Sequence, residues 1–268
     1  MLTSRYECKY FVRPQTLDRM REYLQPFVRP DAYAARSPDH RYTISSLYLD
    51  SADLRLAQMT LEGDKARFKL RLRRYADGPD QPVFAEIKKR LDAIVLKSRA
   101  RLSAKQTEDL LASIAPTGVR PAESAEPLDA AAGEFKTRAL AVSAQPIVRV
   151  KYQREAYEAA NGDPVRVTFD TELVHAVSTD GSTAVGDGDW HETPLEGSIV
   201  EIKFTDSYPH WIRSLIDSLQ LQKISIPKYV LCVQEAVRRG SYRAGGMVLT
   251  SGSIPELPQL SGGEPWNR

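Results

Sequence analysis

Nine residues constrain this chain more than any others. In Lys65-Ala-Arg-Phe-Lys-Leu-Arg-Leu-Arg73 every odd position is basic, and from Ala66 to Leu72 every even one is apolar. Residues two apart on a strand point the same way, so one face of this strand carries five cations. The spacing recurs in Glu7/Lys9, Glu86/Lys88, Arg99/Arg101, Arg149/Lys151 and Glu201/Lys203, each set among alternating apolar residues. Six strands are thereby expected to present a charged face. An open antiparallel sheet with one dry and one wet face produces the same alternation. A merely wet face, however, is usually diluted with Ser, Thr, Gln and Asn. Closing the sheet puts the charges inside, where water, carboxylates or a polyanion must compensate them. Phosphates suit that requirement: Arg offers a planar fork to two oxygens and Lys a movable point charge.

Period-two alternation predicts about eight strands, over 4–12, 43–50, 65–75, 82–90, 94–102, 146–158, 164–171 and 195–205. Helical periodicity predicts helices over 16–25, 53–61, 103–114, 209–221 and 228–239. The expected class is α+β: an antiparallel, closed β-barrel with flanking helices. A barrel of that size holds an interior ligand or packed side chains. The Pro-, Ala- and acid-rich stretch 115–133 reads as a flexible insertion within one domain over 1–244, and the Gly/Ser/Pro-rich 245–268 as a disordered tail.

Other chemistries are poorly supported. Net charge is only +2, from 37 basic and 35 acidic residues, so no global field marks a nucleic-acid partner. There is no GxxxxGK[ST] or GxGxxG loop, and the four histidines lack metal-ligand spacing. Cys8 and Cys232 sit in apolar patterns and read as buried thiols. No apolar run approaches the ~20 residues that span a bilayer, and the expected location is the cytoplasm. Asn161-Gly162-Asp163 signals a hairpin turn, and a midpoint near residue 160 would set Arg154 opposite Arg166.

The segments Arg5-Tyr-Glu-Cys-Lys-Tyr10, Ser46-Leu-Tyr-Leu-Asp50, Lys69-Leu-Arg-Leu-Arg73-Arg-Tyr75, Phe84-Ala-Glu-Ile-Lys88, Arg166-Val-Thr-Phe-Asp170, Val200-Glu-Ile-Lys-Phe204 and Pro227-Lys-Tyr229 together resemble the VTC domain. That is the polyphosphate polymerase domain of the vacuolar transporter chaperone family, within the triphosphate tunnel (CYTH-like) metalloenzymes. The resemblance runs from about residue 4 to residue 240. It implies a tunnel that binds ATP and polyphosphate or triphosphate, with Mn2+ or Mg2+ as cofactor and a membrane-protein partner. Carried over, Lys9, Arg71, Arg73, Lys88, Arg99, Arg154, Arg166, Lys203 and Lys228 would bind phosphate. Among these, Lys9, Arg71, Arg73, Lys88 and Lys203 would serve catalysis. Glu201 would hold the metal, with Glu7 and Glu86 as further metal candidates. Lys97 and Arg101 are neighbours that could take the place of Arg99. Arg5 stands where the cyclase and thiamine-triphosphatase branch has a first Glu, which favours the VTC-like branch. The implied activity is transfer of the γ-phosphoryl of ATP to a polyphosphate chain. The alternatives are a tripolyphosphatase or polyphosphate hydrolase, and a non-catalytic polyphosphate-binding module. Few aromatic residues accompany these motifs, so weak nucleoside selectivity is expected.

Overall fold

The computed structural model describes residues 5–78, 80–92, 94–115, 126–178, 180–186 and 188–243. The expected tail over 245–268 and residues 116–125 of the expected insertion lie outside them.

Eight strands form one antiparallel path: β1 (Arg5–Val12), β3 (Arg41–Asp50), β4 (Ala66–Arg74), β5 (Val83–Leu91), β6 (Ile94–Leu102), β7 (Gln145–Ala159), β8 (Arg166–Val177) and β10 (Ser198–Thr205). Their order across the sheet is β1-β10-β8-β7-β3-β4-β5-β6. Two short strands lie off it: β2 (Val28–Pro30) pairs with β7, and β9 (His191–Glu192) with β8.

The expected antiparallel sheet with flanking helices is present, but hydrogen bonding does not close it into a barrel. Among the described residues no ladder joins β1 to β6, so hydrogen bonding leaves two free edges. The sheet is nonetheless strongly rolled. β5 lies six strand spacings from β1 along the path, roughly 30 Å in a flat sheet, yet Lys88 Nζ of β5 is 3.1 Å from Glu7 Oε1 of β1. Side-chain ion pairing bridges the gap that the ladder leaves.

Helices cover the apolar outer face. The helices α1 (Pro14–Leu24) and α5 (His210–Ser218) bury Leu17, Met20, Leu24, Ile212 and Leu215 against Cys8, Tyr10, Val167, Phe169, Val200 and Ile202. The pair α3 (Ala104–Ile114) and α4 (Ala130–Ala141) does the same with Leu110 and Phe135 against Leu70, Leu72, Ala85, Ile87 and Ala100. The dry face is thus the outer one, and the alternate, charged residues are left inside the roll. Both cysteines are buried free thiols, as expected.

The helix α4 overlaps the end of the stretch 115–133 that the sequence reads as a flexible insertion. It begins at Ala130, capped by the Asp129 side chain, which accepts from Ala132 N. The remaining helices, α2 (Arg55–Leu61) and α6 (Lys228–Arg238), fill one end of the roll. There Leu54, Ala57, Tyr229, Val230, Cys232 and Val233 pack with Tyr48, Val148, Val150 and Leu173.

Candidate functional site: a basic cavity inside the roll

Beyond the end filled by α6 lies a cavity of about 120 Å³. Nine basic side chains line it, against two carboxylates, Glu7 and Glu201. Strand β4 supplies Lys69, Arg71 and Arg73; β1 Lys9; β5 Lys88; β6 Lys97; β7 Arg154; β10 Lys203; and the first turn of α6 Lys228. The alternation that sends Leu70 and Leu72 outward to α3 and α4 is what sends Arg71 and Arg73 inward.

Two carboxylates organise one wall. Glu201, 7% exposed, lies 2.7 Å from Lys203 Nζ, 3.3 Å from Lys9 Nζ, 3.5 Å from Lys228 Nζ and 3.9 Å from Arg154. Burial alone would raise its pKa; Lys203, Lys9, Lys228 and Arg154 outweigh that and hold it well below the usual carboxylate range. Behind it, Asp170 accepts a two-pronged bond from Arg154, 2.6 and 2.7 Å, and sits 2.5 Å from Lys228 Nζ. Burial opposes the charge on Lys228, but Asp170 and Glu201 raise its pKa above the ordinary lysine value.

The opposite wall is built on Glu86, which holds Arg71 at 2.6 Å and lies 3.3 Å from Arg99 and 3.8 Å from Arg73. Arg71 also donates to Tyr48 Oη at 3.2 Å, and Arg73 donates to Ser46 Oγ at 3.2 Å. At the seam, Glu7 lies 3.1 Å from Lys88 and 3.5 Å from Lys9. Burial pushes the Glu7 carboxyl up, but Lys88 and Lys9 bring it down to about 2.

Lys69 and Lys97 differ from the rest. Neither makes an ion pair or hydrogen bond with the described residues. Burial, then the charges of Lys9 and Lys88, drive the Lys69 pKa well below its ordinary value. Burial followed by Lys203 lowers that of Lys97. Each is a desolvated ammonium without an ion-pair partner among the described residues, Lys97 being drawn only from a distance by Glu7 and Glu201, and such a state is costly unless an anion relieves it.

The sequence-predicted residues separate accordingly. Lys9, Arg71, Arg73, Lys88, Arg154, Lys203 and Lys228 line the cavity with Glu7 and Glu201. Arg99 does not; it stacks over Phe84 at 3.7 Å, and the neighbour that lines the cavity is Lys97. Arg166 and Arg154 are not opposite each other. The turn centres on Gly162, so Arg154 pairs with Asp170 and Arg166 with Glu158 in the ladder. Arg166 Nη2 reaches Asp31 at 2.5 Å instead. Glu86 lies behind the lining, engaged by three arginines. Arg149 and Lys151 do not share the face of Arg154, because the inward residues of β7 are Tyr152 and Arg154; they pack on Trp190, at 4.9 and 4.0 Å. Lys69 and Asp170 received no role from the sequence, although both lie inside quoted motifs.

Among the described residues no three carboxylate, histidine or thiol side chains converge as a metal cluster. The donor set still suits a hard divalent cation of the Mg2+ kind, which typically takes one or two carboxylates and completes its shell with phosphate oxygens and water. Glu201 and Glu7 are the carboxylates in place.

The VTC domain family model matches residues 4–237. The chain belongs to the VTC domain family. Subunit 4 of the vacuolar transporter chaperone complex of Schizosaccharomyces pombe is 25% identical over 264 residues, covering 84% of this chain. The chain spans 36% of that relative's length. Among solved structures, the bh2851 protein of Bacillus halodurans has a TM-score of 0.48 and 13% identity, covering 82% of this chain and 92% of its own. The PH1819 protein of Pyrococcus horikoshii has a TM-score of 0.44 and 12% identity, covering 87% and 99%. Among the described residues no helix is long and apolar enough to cross a membrane.

Proposed function

We propose that this VTC domain is a polyphosphate polymerase that transfers the γ-phosphoryl group of ATP to the end of a polyphosphate chain inside the basic cavity. The observation that carries the reading is the excess of cations there, with Lys69 and Lys97 in no ion pair among the described residues. Such a cavity is completed by a polyanion, and a chain of phosphoryl groups matches its mixture of Arg forks and Lys point charges.

Transfer breaks the bond from the γ-phosphorus to the β,γ-bridging oxygen and forms one to a terminal oxygen of the chain. ADP leaves with the bonding electron pair. The acceptor is already ionised, so no side chain need act as general base. The protein's part is alignment and charge neutralisation. Arg71 and Arg73, braced by Glu86, Tyr48 and Ser46, present fixed forks. Arg154 and Lys228, held by Asp170, face them across the cavity, while Lys69, Lys88 and Lys97 follow the phosphates as they shift. A Mg2+ or Mn2+ ion bound at Glu201 and Glu7 would supply further neutralisation of the transferred group. The name of the Schizosaccharomyces pombe relative, a subunit of a transporter chaperone complex, supports a membrane-protein partner for this chain as well.

The test is incubation of the purified protein with ATP and Mn2+ or Mg2+, following ADP and acid-labile polymer together. ADP with lengthening polymer is the expected result. ADP with free phosphate and no polymer would replace polymerase by hydrolase. Neither product, with polyphosphate still bound, would reduce the domain to a binding module.

A further inference from the structure

Opposite α6, the inner face of the roll ends in aromatic rings rather than cations. On β3, Tyr48 stacks on Tyr229 of α6 at 4.6 Å, and Tyr42, six residues earlier on the same face, lies at the far end, roughly 20 Å away along the strand. There Tyr42 is 5.9 Å from Tyr33 and 6.4 Å from Tyr75, Tyr33 stacks on Tyr75 at 5.6 Å, and Tyr75 meets the edge of Phe84 at 5.9 Å. These spacings are those of mutually attracting rings. The rim is continuous with the phosphate cavity. Tyr42 is the ladder partner of Arg154, and Phe84 that of Arg73. Arg99 donates to Tyr75 Oη at 3.3 Å while lying 3.3 Å from Glu86, which in turn holds Arg71.

The rim is also held in place from outside. Asp31 accepts from the backbone N–H groups of Tyr33 and Ala34 at 3.0 and 2.8 Å, and from Arg166 at 2.5 Å. Arg166, expected to bind phosphate, instead pins the segment that carries Tyr33. Despite this anchoring Tyr33 remains 46% exposed, with the exposed guanidinium of Arg36 over its ring at 5.0 Å.

Inorganic polyphosphate has no planar apolar surface and makes no use of such a rim. A nucleoside triphosphate has both parts in the same order, an aromatic base followed by phosphates. We propose that the Tyr33–Tyr42–Tyr75 rim, with Arg99, is the docking platform for the base of the nucleoside triphosphate donor, with its phosphates leading inward past Arg73 and Arg154. This rests on the polymerase reading above. Stacking accepts every base, because each has a π face, so the platform grips a nucleotide without choosing among bases. It thereby supplies donor affinity while keeping nucleoside selectivity weak, as the sequence leads one to expect. A base entering over Tyr33 displaces Arg36, whose guanidinium is then free to meet phosphate.

Titration calorimetry with ATP and with inorganic tripolyphosphate separates base from phosphate. In Tyr33→Ala and Tyr75→Ala, ATP affinity is expected to fall about tenfold, the order of one lost base–aromatic stack, with tripolyphosphate affinity unchanged. Tyr33→Phe keeps the ring and should bind both as the unaltered protein does. Tyr33 is half-exposed, and retained tripolyphosphate binding in each variant verifies that it folds. Unchanged ATP affinity in both alanine variants, or equal losses for ATP and tripolyphosphate, would overturn the platform while leaving the phosphate cavity standing. Failure of the unaltered protein to bind tripolyphosphate at all would overturn the cavity reading and the platform with it.

Discussion

The Tyr229 hydroxyl donates a 2.7 Å hydrogen bond to Asp50, a carboxylate with no exposed surface. Asp50 also accepts from the backbone N–H groups of Ser51, Leu56 and Ala57, so it ties the first turn of α2 to the first turn of α6. Lys228 precedes Tyr229, and the bond therefore helps to fix where a cavity cation stands. Burial raises the Asp50 pKa, against the pull of these donors, so each donor matters. Tyr229→Phe removes one while keeping the ring on Tyr48. We expect a loss of about 1–3 kcal/mol, seen as a melting temperature lower by roughly 2–4 °C per kcal/mol. An unchanged melting temperature would show that the three backbone donors suffice.

Glu201 is shared by four cations, and its replacement separates metal chemistry from anion binding. Glu201→Gln keeps the shape but removes the charge. Turnover of ATP in the presence of Mg2+ or Mn2+ should become undetectable. Tripolyphosphate affinity should rise by roughly tenfold, an energy of about 1.4 kcal/mol, near the low end for one charge at about 4 Å. Calorimetry and a coupled ADP assay on the same sample check both. Full turnover in this variant would remove Glu201 from the proposed metal site.

How much of this was legible depended on whether information lay along one strand or between elements. The row Lys69, Arg71, Arg73 could be read from alternation alone, because a strand has only two faces and Leu70 and Leu72 claim one of them. The face of Arg149 and Lys151 could not, since β7 carries charges on both sides and it is Tyr152 and Arg154 that line the cavity. Arg154 and Arg166 were misaligned by the turn: Ala159 N donates to Val165 O, which moves the midpoint to Gly162 and sets an Asp, not an Arg, opposite Arg154. Lys97 replaced Arg99 at the cavity because Phe84 and Tyr75 hold the Arg99 guanidinium at the rim. The helix α4 was hidden by its Ala-rich composition, although Ala132, Phe135 and Ala139 keep helical spacing. The aromatic rim was invisible because its rings come from four separate segments.

Lys69 permits a test in which stability and function move oppositely. Its ammonium has no partner among the described residues and is repelled by Lys9 and Lys88. Lys69→Met keeps the length of the chain and removes the charge. Stability without ligand should rise by about 1–3 kcal/mol, as when a poorly compensated buried charge gives way to an apolar group. Tripolyphosphate binding should weaken by about tenfold, the loss of one charge-assisted contact. Denaturant unfolding and calorimetry read the two effects. A variant both less stable and equally tight in binding would show that Lys69 is structural.

The same electrostatics predict how pH acts. Burial, followed by the charge of Lys9, lowers the Lys88 pKa to about 8, against an unfolded value near 10.4. Between about pH 8 and 10 the unfolded chain therefore binds more protons at this site than the folded one, and stability without ligand should rise with pH across that window. Below about pH 8 Lys88 is charged in both states, and its contribution becomes flat and unfavourable. A bound polyanion reverses the balance, because it favours the ammonium form and draws the folded pKa back up. Binding should then take up protons above about pH 8, and tripolyphosphate affinity should fall as pH rises from 8 to 10. Calorimetry in buffers of differing ionisation enthalpy measures that uptake directly. Lys88→Arg, fixed in charge over this range, should abolish part of it, leaving the share carried by Lys69 and Lys97. Proton release on binding, or affinity that climbs with pH, would contradict the buried-ammonium account of the cavity.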